Sequence, residues 1–208
     1  MASGLVWYVG YGSNLHAARF ACYLAGGTPI GGTRAYPGCR DTSPPLDTRA
    51  LELPGGIYFA TESPVWLGGR AFYDPGLPGV TAARGYLVTA GQFADVAAQE
   101  MYREPGADLD LTAVLADGRH ALGPGRYETL LHLGEHDGHP ALTFTAPWRA
   151  ADVEHTAPSA AYLTALATGL AETHGWTTER IADHLAARTP FWTAADIAAL
   201  VSPAPPRR

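Results

Sequence analysis

Apolar and polar positions change period several times along the chain. Leu5 to Tyr11 is a continuous apolar and aromatic run of strand length. Gly12-Ser13-Asn14 interrupts it. From Leu15 to about Ala25 the period becomes helical, with Phe20 and Leu24 on one face and Gly26-Gly27 as the stop. The first unit is therefore strand, tight turn, helix. Residues 56–60 and 69–73 predict short strands, and Val80 to Thr89 contains another, centred on Gly85-Tyr86-Leu87-Val88. Gln92 to Tyr102 predicts a helix that Thr89 or Gly91 could cap. On it Phe93, Val96, Ala97 and Glu100 fall at i, i+3, i+4 and i+7, so a carboxylate stands in line with the apolar stripe.

Between these elements, Arg34 to Pro54 is rich in Pro, Asp, Thr and Arg and reads as a long loop, of the kind that often carries function. Asp110 to Leu115, Tyr127 to Leu133 and Ala141 to Thr145 read as three more strands, with Asp117-Gly118 and Asp137-Gly138 as hairpin turns. The last third is helical. Ser159 can cap a helix carrying Tyr162, Leu166 and Leu170. A second helix over about 178–187 turns Ile181 and Leu185 inward, and a third starts at Thr193 and holds Ile197 and Leu200. The Pro-rich tail from Ser202 reads as frayed.

Strands thus come in a run with hairpin signals, and helices cluster at the end. That order predicts an α+β fold with a mainly antiparallel sheet or barrel, not a doubly wound one. The 208 residues fit one domain, 1–208, with helices over 176–201 as an extension. Hydrophobic residues make up 47%, enough for a substantial core, while 17 prolines and 24 glycines imply many loops. Net charge is −6, and the only basic run is Arg207-Arg208, which argues against a nucleic-acid partner. All 14 basic residues other than histidine are arginine. This removes Schiff-base lysines, lysine general bases and a Walker-type lysine from consideration, and fits a GC-rich bacterial source. Cys22 and Cys39 make no disulfide framework. No apolar stretch reaches membrane-spanning length and the N-terminus lacks a signal pattern, so the expectation is a soluble, cytoplasmic protein.

The turn after the first strand is the first candidate site. A strand entering a helix through Gly12-Ser13-Asn14 presents unpaired backbone N–H groups at the positive end of the helix dipole, a geometry that binds a carboxylate or a polarised carbonyl oxygen. A plain capping turn with Ser13 or Asn14 as N-cap accounts for the same residues. A dinucleotide fingerprint does not fit, because Leu15 stands where a third glycine is needed. Nor does a nucleophile elbow, because Gly12 and Asn14 flank Ser13.

Tyr11-Gly12-Ser13-Asn14-Leu15 after an N-terminal apolar strand resembles the signature of γ-glutamylcyclotransferase-like proteins. In the same order, Trp66-Leu67-Gly68-Gly69-Arg70-Ala71 resembles that family's Gly-rich strand entry, and Arg84-Gly85-Tyr86-Leu87-Val88 the strand before its catalytic helix. Gln99-Glu100 occupies the place of the family's catalytic glutamate, and Pro158-Ser159-Ala160-Ala161-Tyr162 is similar to the start of its late helix. The likeness spans about residues 5–175. The family often shows Leu-Asp before the glutamate and Gly after it, whereas this chain reads Asp95-Val96-Ala97-Ala98-Gln99-Glu100-Met101.

The resemblance implies a small, mostly antiparallel γ-glutamylcyclotransferase-like barrel or sheet with flanking helices. It implies an intramolecular reaction: the α-amine of a γ-glutamyl compound attacks its γ-carbonyl, releasing 5-oxoproline and an amine or amino acid. Glu100 would act as general acid/base, and Tyr11, Gly12, Ser13, Asn14, Leu15 and Tyr162 would bind substrate. A carboxylate in apolar surroundings suits proton transfer at neutral pH. No metal, cofactor or covalent nucleophile is required. Read from the residues alone, Glu100 could equally be a surface glutamate beside Arg103, and Tyr162 a core tyrosine. Other acyl or amide-bond chemistry on the same scaffold, or a non-catalytic small-molecule binder, remains open at this point. The group His132, Glu135, His136, Asp137 and His139 reads as a polar hairpin tip, not a metal site. The C-terminal helix faces offer packing surface or a homodimer contact.

Overall fold

The first strand, β1 (Leu5–Gly10), is covered on both faces, which is why its sequence is apolar without alternation. Val6 and Tyr8 face one hydrophobic cluster; Trp7 and Val9 face another. The structure, a computed structural model, describes residues 4–29 and 34–202. Seven further strands follow: β2 (Asp47–Pro54), β3 (Gly56–Ser63), β4 (Gly68–Asp74), β5 (Val80–Thr89), β6 (Arg119–Ala121), β7 (Thr129–His136) and β8 (His139–Thr145). Six of the eight strands make one sheet in the order β2-β5-β1-β8-β7-β6, and β3 with β4 forms a separate ribbon. Only β1 and β8 run parallel; the other pairs of the sheet are antiparallel. The fold is α+β, with a mixed, mostly antiparallel sheet, flanking helices and a helical C-terminal part.

Helices α1 (Ala17–Ala25) and α2 (Ala90–Glu100) cover the Tyr8 face through Phe20, Leu24, Phe93 and Val96. Helices α4 (Ala160–His174), α5 (Thr178–Ala186) and α6 (Ala194–Val201) cover the Trp7 face through Leu163, Leu166, Leu170, Ile181, Leu185 and Ile197. Their starts follow the expected chemistry. Thr89 and Gln92 close a capping box on α2, Ser159 Oγ accepts from Tyr162 N at 3.2 Å on α4, and Thr193 pairs with Asp196 on α6. No helix among the described residues is long and apolar enough to cross a membrane.

Three segments depart from the pattern-based expectation. The long loop ends earlier than Pro54, because Asp47–Pro54 is β2, paired with β5 along its whole length. Its signal was the alternation of Leu51 and Leu53, both buried, and an edge position tolerates the closing proline. The segment around Asp110–Leu115 is not a strand. Asp110 Oδ1 accepts from Thr112 N at 2.9 Å and starts a short helix, α3 (Thr112–Asp117). Gly118 closes that helix by donating to Val114 O, so Asp117-Gly118 is a helix end, not a hairpin turn. By contrast Asp137-Gly138 does join two antiparallel strands, with His136 opposite His139. The tail expected to fray from Ser202 lies outside the described residues beyond that position.

The turn after β1 is held down by α4. A Cβ on Gly169 would stand 2.5 Å from Leu15 Cβ and 2.6 Å from His16 N, so only a glycine lets the helix lie this close to the turn. Gly169→Ala is expected to lower stability by roughly 1–3 kcal/mol despite alanine's better helix propensity, because the clash includes backbone. Urea unfolding checks this: the midpoint should fall with the slope unchanged. A midpoint at or above wild type would show that the contact yields easily.

Candidate functional site

At the exit of β1 the chain makes a short 3-10 turn over Ser13–Leu15, with Gly12 at its cap position. Leu15 N and His16 N donate back to Gly12 O and Ser13 O at 2.9 and 3.2 Å. The N–H groups of Gly12, Ser13 and Asn14 meet no acceptor among the described residues. A Cβ on Gly12 would stand 3.2 Å from the Tyr162 hydroxyl, so the bare backbone leaves room at the cavity wall. The turn itself is fixed by side chains: Tyr86 Oη donates to Asn14 O at 2.6 Å, and Arg19 Nε donates to Ser13 Oγ at 2.8 Å.

Glu100, at the last position of α2, reaches this turn from the opposite side. Its Oε1 accepts from Asn14 Nδ2 at 3.2 Å, and the same amide nitrogen donates to the Tyr8 hydroxyl at 2.9 Å. The helical register that put Glu100 in line with Phe93, Val96 and Ala97 thus delivers it to a half-buried place on the cavity wall. The buried Asn14 Oδ1 has no partner.

The other residues singled out from the sequence divide. Tyr11, Gly12, Ser13, Asn14, Glu100 and Tyr162 all line one cavity. Tyr162 sits there with its hydroxyl accepting from Ala71 N at 3.2 Å, and Tyr11 donates to Phe144 O at 2.9 Å. Leu15 is different. It is buried in the core against α4 and forms no part of the wall, so its place in the motif is a packing one. Tyr8 and Trp66 also line the cavity, whereas Trp7, Phe72 and Tyr73 are core.

Several wall residues escaped the sequence reading. Arg19, Arg34 and Arg70 line the cavity, together with Tyr23, Tyr36, Tyr102 and Tyr127. Arg19 is buried; its Nη2 donates to Tyr36 Oη at 2.8 Å, its Nη1 has no partner, and its guanidinium lies 4.7 Å from the Trp66 ring centre. The register of α1 held a signal for it, since Arg19, Phe20, Tyr23 and Leu24 share the buried face. Arg70 lies within Trp66-Leu67-Gly68-Gly69-Arg70-Ala71, and its Nη2 donates to Glu62 O beside the irregularity in β3–β4 pairing. Tyr102 and Tyr127 carry positive φ angles of 58° and 61°, which side chains other than glycine rarely adopt and which cluster at functional sites.

No group of three His, Cys, Asp or Glu side chains suited to a metal ion occurs among the described residues. His132 to His139 lie along β7 and β8 and their turn, as a hairpin tip.

No protein-family profile matches the chain. Histone deacetylase 5 of Arabidopsis thaliana is 32% identical over 185 residues, which cover 80% of this chain and 28% of that protein. The chain therefore spans little more than a quarter of the curated relative's length. Among solved structures, the uncharacterized human protein loc79017 superposes with a TM-score of 0.52 at 14% identity, over 94% of this chain and 98% of that one. A protein named gamma-glutamyl cyclotransferase gives 0.49 at 14% identity, over 95% and 98%. At these identities the likeness to the human protein concerns the fold alone.

On the cavity wall Tyr8, Tyr23 and Tyr162 are held neutral. Burial first, and then the charge of Glu100, push the Tyr8 and Tyr23 hydroxyls well above the ordinary range. Burial pushes Tyr162 up to about 12. In the unfolded chain these hydroxyls ionise near pH 10. Above about pH 10 the unfolded state then binds fewer protons than the folded state, so stability falls as pH rises further. Tyrosinate absorbance from these residues is expected to appear together with loss of near-ultraviolet circular dichroism. Ionisation of all 10 tyrosines near pH 10 with the fold intact would show that the cavity does not seal them.

Proposed function

We propose that the chain is a single γ-glutamylcyclotransferase-like domain and acts on a γ-glutamyl amide, releasing 5-oxoproline and an amine or amino acid. The observation that carries this reading is the 3.2 Å contact of Glu100 Oε1 with Asn14 Nδ2, beside backbone N–H groups that meet no acceptor. A small-molecule amide seated there has a proton acceptor on one side and amide donors on the other.

In this reading the N–H groups of Gly12, Ser13 and Asn14 hold the substrate's α-carboxylate or the oxyanion that develops on its γ-carbonyl oxygen. Glu100 takes a proton from the α-amine as that nitrogen bonds to the γ-carbon. The tetrahedral species then collapses, the bond from the γ-carbon to the leaving nitrogen breaks, and Glu100 returns the proton to that nitrogen. One C–N bond forms, one breaks, and nothing is oxidised or reduced. Asn14 orients Glu100. Tyr162 and Tyr11 shape the wall, and their hydroxyls stay neutral, so they add no charge near the carboxylate.

The name of the plant relative describes a protein of which this chain covers 28%, so an acetyl-lysine peptide belongs in the assay as a competing amide. The test is 5-oxoproline release from γ-glutamyl dipeptides, glutathione and γ-glutamyl amines. Glu100→Gln keeps an oxygen for Asn14 but cannot carry the proton, and is expected to lower kcat/KM by about 10²–10⁴-fold with the fold unchanged. Turnover unaffected by Glu100→Gln would remove this residue from the chemistry. A folded wild type that releases no 5-oxoproline from any of them sinks the cyclotransferase reading, and leaves a binding role or other amide chemistry.

A further inference from the structure

Arg40, Arg49, Arg84 and Arg103 each meet a carboxylate. Eight others meet none among the described residues, although all 20 Asp and Glu residues are described; of these, Arg19, Arg34 and Arg70 line the cavity and Arg126 stands beside it against Tyr102, while Arg119, Arg149, Arg180 and Arg188 lie elsewhere. Glu100 is the one carboxylate among the described residues of the wall. This excess of positive charge sits in a protein whose net charge is −6.

The guanidinium groups are also short of hydrogen-bond partners. Arg70 is more than nine-tenths buried, and its Nε bonds to nothing. The Arg126 Nε is buried without a partner too. Arg34 and Arg126 lie 4.2 and 4.3 Å from the centre of the same ring, Tyr102, at the cavity's exposed side. Burial, and after it the charge of Arg70, push the Arg126 guanidinium below its ordinary range, so the groups crowd one another. Unpaired buried donors and like charges both cost free energy, and an anion relieves both.

A charge count says which part of a substrate this would be. A γ-glutamyl group carries one α-ammonium and one α-carboxylate, which cancel. Arg19, bonded to Ser13, and Glu100, bonded to Asn14, also cancel. Arg34, Arg70 and Arg126 remain uncompensated. We propose that these three form a second anion subsite, which takes a dianionic group, a phosphate monoester or a pair of carboxylates, on the amine half of the substrate. The planar guanidinium fork suits either group. The identity of the other half rests on the cyclotransferase reading; the anion preference does not.

The test uses the full chain and four ligands: γ-glutamylethylamide, γ-glutamylglycine, γ-glutamylaspartate and γ-glutamyl-O-phosphoethanolamine. Calorimetric titration of the Glu100→Gln protein measures binding without turnover, and 5-oxoproline release by wild type measures kcat/KM. At least one dianion is expected to bind about tenfold or more tighter than the ethylamide, with a gap that shrinks as salt is added. Comparison of the aspartate and phosphate ligands says which dianion the subsite takes. Arg126 makes no hydrogen bond among the described residues, so Arg126→Gln is the first variant and Arg34→Gln the second; Arg70 also holds Glu62 O. Either is expected to narrow the gap to about threefold or less. Equal affinities, a preference for the ethylamide, no binding by any of the four, or a gap intact in both variants would overturn the subsite. An arginine-dependent preference without 5-oxoproline would instead overturn the reaction and keep the subsite.

Discussion

Covering β1 on both faces leaves the turn at its end with little water to turn to, and the arrangement around it follows from that. A buried backbone or amide group must find a partner inside the protein. Asn14 O finds Tyr86, Asn14 Nδ2 finds Tyr8 and Glu100, and Ser13 finds Arg19. These partners come from β1, β5, α1 and α2, so satisfying one turn draws four elements together. Helix α4 closes the other side, and Gly169 allows its approach. The groups left over, the amides of Gly12 to Asn14 and the Asn14 Oδ1, are those that face or border the cavity. A candidate site and a folding constraint are here the same set of atoms.

The legible parts of the fold were those in which local pattern and tertiary role agree. The apolar run of β1, its break at Gly12, the Thr89 cap and the stripe of α2 could all be read from spacing, and the position of Glu100 followed from the last of these. β2 was hidden because Pro44, Pro45 and Pro54 outweighed two alternating leucines at an edge. α3 was hidden because the Asp110 turn and a glycine stop, over so short a span, resemble two turns around a strand. Leu15 could not be separated from its motif neighbours, because packing against α4 depends on residues far along the chain. The arginines were harder still. Arg19, Arg34, Arg70 and Arg126 come from four separate segments, and whether an arginine has a carboxylate partner is a property of tertiary structure that no local spacing records.

The distribution of charge has a further effect at long range. A protein of net negative charge repels anions from most directions, while a pocket with more guanidinium groups than carboxylates attracts them locally. Field lines concentrate where low-dielectric walls surround the charge, as the tyrosines and Trp66 do here. With the proposed subsite, an anionic molecule would be selected by where it approaches as well as by what it touches.

The choice of arginine for that pocket also bears on side reactions. In the proposed reaction, a γ-carbonyl poised for attack by an amine would react with any other amine held against it, and a lysine on the wall would risk becoming permanently acylated. Guanidinium groups stay protonated throughout the physiological range and are poor nucleophiles. In the proposed reaction, a cavity whose cations among the described residues are all of this kind leaves the substrate's own α-amine as the nitrogen free to attack, and spares the protein from modifying itself.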